Sequence, residues 1–308
     1  MVFSSILSAF PSVDPIPVPA PIWLIKALLW LTSAAHFVAV QMVLGGLAIA
    51  IFWGLRSRNG HGQVAQQAAS QINHRLPITM AMLINLGIPP LLFTQVLYGQ
   101  ALYTSSVLIG AFWIAVVPAL TFGYFSLYWS NMRADKSHAW TWVSVIALLC
   151  ILFVGFIYTN NFTLMLRPEA WQEMYENSPL GLQLNTSDAT VWPRYGFMLA
   201  AGGVTGGIWL TLLGSKKSLP DATRDLMRKS GASSALVASM VTAGLGVAVW
   251  AVQSAEVKEG LAGSTLAMVG AAVFGLGILG CAALAFLIKQ RPLESFAPLA
   301  WLAALMAA

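Results

Sequence analysis

Charged residues are scarce in this chain. Of its 308 residues only 9% are Asp, Glu, Lys or Arg, whereas 58% are hydrophobic, and soluble proteins average about 25% charged residues. This shortage excludes an ordinary soluble domain. Segments of alternating polarity, which a membrane β-barrel requires, are also absent. Because one bilayer crossing needs about 20 mostly apolar residues, the long apolar runs predict an all-α, polytopic bundle of transmembrane helices.

Cysteine is almost absent as well. Cys150 and Cys281 lie within apolar segments and have no CxxC or CxxCH neighbour, which excludes a Cys-pair zinc site and covalent heme attachment. The chain does not open with a basic start followed by a small-residue cleavage site, so we expect the first apolar segment to remain in the protein.

The apolar runs divide the chain into a short N-terminal segment and one helical domain. Residues 1–21 contain five prolines and are predicted to be an extended, interfacial segment, because proline disrupts helices. Residues 22–308 are predicted to contain seven crossings, plus an eighth segment too short to span unless the membrane thins. Pro89–Pro90 is predicted to break the second helix. The segments are about 22–55, 77–98, 107–129, 139–162, 191–213, 235–252, 266–288 and 296–308.

Lysine and arginine fall mainly on alternate loops, which carry 12 of the 16. By the positive-inside rule those loops are cytoplasmic, so the N-terminus is predicted outside a bacterial inner membrane. The net charge of +5 is thus a topology signal, and nucleic-acid binding is disfavoured. The longest outer loop, between Phe162 and Val191, is acidic. The 12 basic residues are Arg56, Arg58, Arg75, Arg133, Lys136, Lys216, Lys217, Arg224, Arg228, Lys229, Lys289 and Arg291.

Ionisable side chains within the crossings are nearly missing. No Asp, Glu, Lys or Arg lies at the middle of a crossing, which disfavours a proton-coupled transporter. The exception is His36, whose neutral imidazole can ligate a heme iron or hydrogen-bond a neighbouring helix. The other histidines, His61, His74 and His138, fall in loops or at a helix start and are interpreted as solvated or interfacial.

Amides and glycines supply the remaining polar or close-packing positions. Interhelical hydrogen bonding is the simpler interpretation of the four amides Asn85, Gln95, Asn160 and Asn161. The glycines Gly202, Gly203, Gly206 and Gly207 in the fifth crossing predict close approach of another backbone, with contact to a heme face as the alternative.

Four sets of short motifs follow one another along most of the chain. They are Lys26, His36–Phe37, Val40 and Leu44–Gly45; Ile84–Asn85, Thr94–Gln95 and Gly99; Asn161 with Pro168; and Met268–Val269–Gly270. In this order they resemble motifs of subunit I of the cytochrome bd quinol oxidases. The resemblance implies that family's helix bundle, with His36 as axial ligand of a heme b and Met268 as ligand of a second, low-spin heme b.

The chain also departs from that family. The best alignment places Phe197, which cannot bind iron, where the family has the histidine partner of the methionine. Gln95 stands where the family has an acidic heme ligand. Only residues 253–264 are available for the family's long quinol-binding loop. His36 is therefore the one ligand whose expected heme site is not missing its other residues, and Met268, which lacks its histidine partner, and Gln95 are secondary heme-proximal candidates.

These observations predict an integral membrane subunit of a respiratory electron-transfer complex, electron-carrying or non-catalytic. It would bind one heme b, contact other membrane subunits, and exchange electrons with periplasmic c-type cytochromes or quinone. The acidic outer loop suits a basic partner. Three alternatives stay open: a heme-free membrane scaffold, a terminal oxidase fed by cytochrome c, and a transporter.

Overall fold

The computed structural model describes residues 18, 20–58, 62–134 and 139–307. Most of the predicted interfacial segment lies outside the described residues, as do His61 and His138. The prediction of an all-α bundle is confirmed, because the described residues form helices and no strand. Seven of the described helices are long and apolar enough to cross a membrane.

The seven membrane-length helices are joined by shorter ones. A 3-10 turn at Pro168–Ala170 precedes α6, and α11, with 11 residues, is the short apolar segment at the end. The helices are α1 (Ile22–Arg56), α2 (Gly62–Asn73), α3 (Leu76–Leu108), α4 (Gly110–Arg133), α5 (Trp140–Leu164), α6 (Trp171–Asn177), α7 (Val191–Gly214), α8 (Asp221–Ala251), α9 (Ala255–Ala262), α10 (Thr265–Gln290) and α11 (Ala297–Ala307).

The predicted break at Pro89–Pro90 is wrong. The chain stays helical through both prolines, and non-helical dihedral angles occur instead at Tyr98 (φ −134°, ψ 27°). The Thr94 hydroxyl donates to the carbonyl oxygen of Pro90 at 2.7 Å. Prolines are tolerated in membrane helices where side chains and neighbouring helices satisfy the disturbed backbone groups, so α3 continues past the predicted end of its crossing.

Helices α2, α6 and α9 and the first turns of α8 lie where the sequence predicts loops. Helix α2 buries Ala65, Ala68, Ala69 and Ile72, a spacing that places one apolar stripe against the bundle. Helix α8 begins at Asp221, well before the predicted crossing at residue 235. Its acidic first residue suits a helix N-terminus, where the backbone dipole is positive.

One end of the bundle gathers most of the basic residues, and we call it the basic end. Here α1, α4 and α10 finish and α5 and α8 begin. The Thr223 hydroxyl of α8 donates to Gln67 of α2 at 2.7 Å, and Arg224 donates to the carbonyl of Leu293. The opposite end carries the acidic segment 165–190, and we call it the acidic end.

A buried arginine joins two helices at the basic end. The Arg228 side chain of α8 is 6% exposed. Its Nη1 donates to the carbonyl oxygens of Ile288 and Lys289, each at 2.8 Å, and its Nη2 contacts Asp225 at 2.6 Å. A cation there complements the negative end of the α10 dipole, so Arg228 fastens the end of α10 to α8.

Helices α1 and α7 touch backbone to backbone. A Cβ atom added to Gly45 would lie 1.8 Å from the carbonyl oxygen of Gly202, and one added to Gly206 would lie 2.6 Å from the Gly45 Cα. The Thr205 hydroxyl donates to Gln41 at 2.7 Å beside this contact. Packing of two backbones, predicted for the glycine cluster, therefore accounts for these glycines.

Candidate functional site

His36 lies near the middle of α1, and its imidazole is half-buried. Its Nδ1 is 3.0 Å from the carbonyl oxygen of Leu83 on α3. Because a carbonyl oxygen can only accept, Nδ1 carries the proton and donates, which leaves Nε2 with a free lone pair. None of the described residues forms a hydrogen bond with Nε2.

The imidazole lies against α3 over a glycine. A Cβ atom added to Gly87 would lie 2.9 Å from Cε1 of His36 and 3.6 Å from Nε2, so a larger residue would displace the ring. Leu83 and Gly87 are one helical turn apart, and the ring spans that turn. Beside His36 on α1, Ala34, Ala35 and Phe37 are exposed, so the site opens at the surface of the bundle.

This arrangement fits a histidine that ligates heme iron. Metal-ligating histidines usually donate their second ring N–H to a carbonyl or carboxylate, which fixes the tautomer and the ring orientation. The Leu83 carbonyl has that position here. A five-coordinate heme needs one strong axial ligand, and Nε2 of His36 is the atom of this site that could supply it. The same bond to Leu83 is also the contact with a neighbouring helix named above as the alternative role of His36.

Gln95 is the second candidate, and it also lies on α3. It is eight residues beyond Gly87, which places it about 12 Å farther along the helix toward the acidic end. Its side chain is half-buried and has no hydrogen-bond partner among the described residues. The structure does not bring Gln95 into contact with His36.

Met268 and Phe197 do not form a ligand pair. The Met268 side chain is 58% exposed in the first turn of α10. The Phe197 ring of α7 packs instead against Phe274, with ring centroids 5.4 Å apart. Phe274 is six residues beyond Met268, so Phe197 packs against a different part of α10. These residues do not fit a second, low-spin heme.

The amides divide into two groups. Asn161 of α5 bonds across to α3: its Oδ1 accepts from Ser105 at 3.1 Å and its Nδ2 donates to Ser106 at 2.9 Å, which confirms the interhelical interpretation. For Asn85 and Asn160 that interpretation is wrong, because each amide nitrogen donates to a carbonyl of its own helix.

The acidic segment is folded onto the ends of the helices. Arg167 donates to Asn185 at 2.9 Å and pairs with Glu169 at 3.2 Å, and the Trp171 indole donates to the carbonyl of Leu164 at 2.9 Å. Helix α6 leaves Glu173 and Glu176 exposed. The acidic end therefore presents carboxylates that are not used by these bonds.

The two α3 residues that orient His36 do not stand out in the sequence. A glycine inside a predicted helix is the signal that could have drawn attention to Gly87, since such glycines often mark close packing. Leu83 contributes only its backbone carbonyl, for which the residue type provides no signal.

Comparison with known proteins returns no match: neither a protein-family model nor a curated protein matches the chain. Among the described residues there is also no group of three or more His, Cys, Asp or Glu side chains that could hold a bare metal ion. His36 and its surroundings are therefore the features of the described residues that bear on function.

Proposed function

We propose that the chain is an integral membrane subunit of a respiratory electron-transfer complex and binds one heme b through Nε2 of His36. The observation that carries this proposal is the hydrogen bond from Nδ1 of His36 to the Leu83 carbonyl at 3.0 Å, which leaves Nε2 able to ligate. When bound, the heme supplies reversible one-electron transfer at its iron.

The chain's own residues orient the His36 imidazole and contact the heme. The Leu83 carbonyl holds the imidazole in one tautomer and one ring position, and Gly87 leaves the space that this position requires. The hydrogen bond also raises the basicity of Nε2, which strengthens its bond to a metal. The exposed Phe37 and Ala34 beside the ring offer apolar surface to a macrocycle.

The proposed electron partners are periplasmic c-type cytochromes or quinone. By the positive-inside rule the acidic end faces outward, which puts Glu173 and Glu176 on the side of a soluble donor. Exposed carboxylates favour encounter with a basic protein surface. The exposed apolar faces of the outer helices contact the lipid bilayer or other membrane subunits of the complex.

A heme-free scaffold is the second candidate, and specific contacts favour it. Backbone packing accounts for Gly202, Gly206 and Gly207, and Phe197, which stands where the resemblance expects a histidine, packs against Phe274. A scaffold would anchor and orient the other subunits and would carry no heme of its own.

The test is heme quantification in the protein purified with its partners. Reduced-minus-oxidised spectra and the pyridine hemochrome of the wild type are expected to show about one heme b per chain. His36→Ala is expected to lose it. His74→Ala is the matched control, because His74 bonds to Asn131 away from α1, and this variant is expected to keep the heme.

Folding of each variant is checked by size-exclusion profile and helical circular dichroism. If His36→Ala fails to fold, Gly87→Ala keeps the ligand but displaces the ring, and a shifted heme absorption or midpoint potential is expected. If folded His36→Ala retained the heme, His36 would not be the ligand. A folded wild type that copurifies with its partners but contains no heme would establish the scaffold.

A further inference from the structure

Helix α9 lies in the short connection between two membrane-length helices at the acidic end. It begins four residues after α8 ends at Ala251, and α10 begins at Thr265, three residues after α9 ends. The Ser254 hydroxyl caps α9 by accepting from the backbone N–H of Val257 at 3.3 Å, and Lys258 donates to the carbonyl oxygen of Ala251 at 2.9 Å. These short links hold α9 at the level where α8 ends and α10 begins.

The side chains of α9 are divided between an apolar side and a charged side. Val257 and Leu261 are one turn apart, which places them within about 40° of each other around the helix axis. Glu256, Lys258 and Glu259 lie outside this apolar arc, with Glu259 opposite to it. The chain buries none of the α9 residues, and Val257 and Leu261 are 43% and 40% exposed. Because a helix of eight residues is marginal in water by itself, we expect a contact outside the chain to cover its apolar side.

Exposed tryptophans mark the membrane surface at this end of the bundle. Trp23 lies in the first turn of α1, Trp192 in the first turn of α7 and Trp250 in the last turn of α8. Their exposed fractions are 70%, 56% and 46%, and exposed tryptophans at the ends of membrane helices are typical of the headgroup level. Helix α9 begins five residues beyond Trp250. The exposed apolar surface of α8 and α10, with Val247 and Leu266, leads up to it from the membrane.

We propose that α9 is an interfacial helix, which lies in the lipid leaflet at the acidic end and inserts Val257 and Leu261 between the headgroups. Amphipathic helices in this position bury their apolar side about 5–10 Å into the boundary between headgroups and acyl chains, while their charged side stays in water. The two glutamates and one lysine of α9 give it a net charge of −1. Insertion therefore depends on the apolar pair and not on attraction to anionic headgroups. It does not depend on heme at His36.

Site-directed spin labelling tests this placement. Nitroxides are attached at Val257→Cys, Leu261→Cys and Glu259→Cys, in a background with Cys150→Ala and Cys281→Ala, and the protein is purified with its partners in phosphatidylcholine nanodiscs. Power-saturation EPR compares accessibility to oxygen, which concentrates among the acyl chains, with accessibility to a nickel chelate, which stays in water. The labels on the apolar side are expected about 5–10 Å below the phosphate level. The label at Glu259→Cys, the matched control on the opposite side, is expected in water.

Folding of the labelled variants is checked by size-exclusion profile. If the background without cysteines fails to fold, the same three labels are attached in the otherwise unchanged chain, and the spectrum of the labelled wild type is subtracted. Equal nickel accessibility of the labels on the two sides of α9 would show that the helix stands in water and would overturn the proposal. Labels at Val257→Cys and Leu261→Cys that are immobile and shielded from both reagents would also overturn it, because a protein surface would then cover α9.

Discussion

Helices α1 and α7 are packed differently along their two halves. Toward the basic end, α1 is buried without interruption from Val43 to Leu47, and α7 is mostly buried from Ala201 to Gly214. Toward the acidic end, every α7 residue from Pro193 to Ala200 is only partly buried, and Trp30, Leu31, Ala34 and Ala35 of α1 are exposed. Along α1 and α7 the half toward the basic end is therefore the closely packed one, while the half toward the acidic end, which His36 borders, leaves side chains uncovered. Elsewhere the acidic end has a buried core of its own around Trp171.

Glycines show the same contrast at atomic scale. At Gly45 a Cβ atom would overlap the Gly202 carbonyl oxygen at 1.8 Å, whereas at Gly244, Gly270 and Gly275 it would meet nothing within 4 Å. The glycines of the α1–α7 crossing are thus required by close backbone approach, and those in the outer parts of α8 and α10 are not. Substitutions can test this difference directly.

The largest expected effect is that of Gly45→Val. The added side chain must separate α1 from α7, at a cost of about 3 kcal/mol or more, so we expect little folded protein. Gly270→Val is the matched control and is expected to change the unfolding temperature only slightly. Thermal unfolding and monodisperse yield in detergent provide the measurement. Equal losses in the two variants would mean that the halves are packed alike.

Arg228→Ala is expected to have the next largest effect. The change leaves the Ile288 and Lys289 carbonyls without their shared donor and Asp225 without one of its two cations. Loss of a buried, charge-assisted set of bonds costs about 3 kcal/mol. Lys229→Ala removes the other cation of Asp225, but Lys229 is 57% exposed, and exposed pairs contribute about 0.5 kcal/mol. A detergent-denaturation midpoint that falls as far for Lys229→Ala as for Arg228→Ala would contradict this account.

Asn161→Leu is expected to produce a smaller loss of about 1–2 kcal/mol, because it removes two bonds that join α5 to α3 near the acidic end. Asn85→Leu is the comparison, since the exposed Asn85 bonds only to its own helix, and we expect almost no change. The same denaturation midpoint distinguishes them. An effect of Asn85→Leu as large as that of Asn161→Leu would show that Asn85 contacts another helix.

The membrane helices could be predicted from the sequence because a long apolar run has few other structures available in a bilayer. The predicted crossing 191–213, for instance, is α7 almost to the residue. Helix α2 was harder to predict because its buried face consists mainly of alanines, which form a weak apolar stripe. The helix break predicted at Pro89–Pro90 does not occur. The side chains packed around α3 keep the helix continuous in spite of the two prolines.

The candidate site was predictable only in part. His36 stands out because an ionisable residue inside a crossing is rare. Its partners on α3 could not be predicted, because the contact with Leu83 and Gly87 depends on the relative axial position of α1 and α3. The hydrophobic periodicity of the sequence contains no information about that position. The assignment of heme to His36, and the roles suggested for Met268 and Gln95 by resemblance, remain predictions.

Ligand replacement at residue 36 tests the central claim most directly. Hemin is titrated into heme-depleted wild type and His36→Gly, each with and without free imidazole, and the Soret absorption is recorded. The wild type is expected to bind hemin. His36→Gly alone is not expected to reproduce the wild-type Soret spectrum. Added imidazole is expected to restore that spectrum in His36→Gly, because it occupies the space of the missing side chain. A wild-type spectrum in His36→Gly without imidazole, or no hemin uptake by the folded wild type, would contradict the central claim.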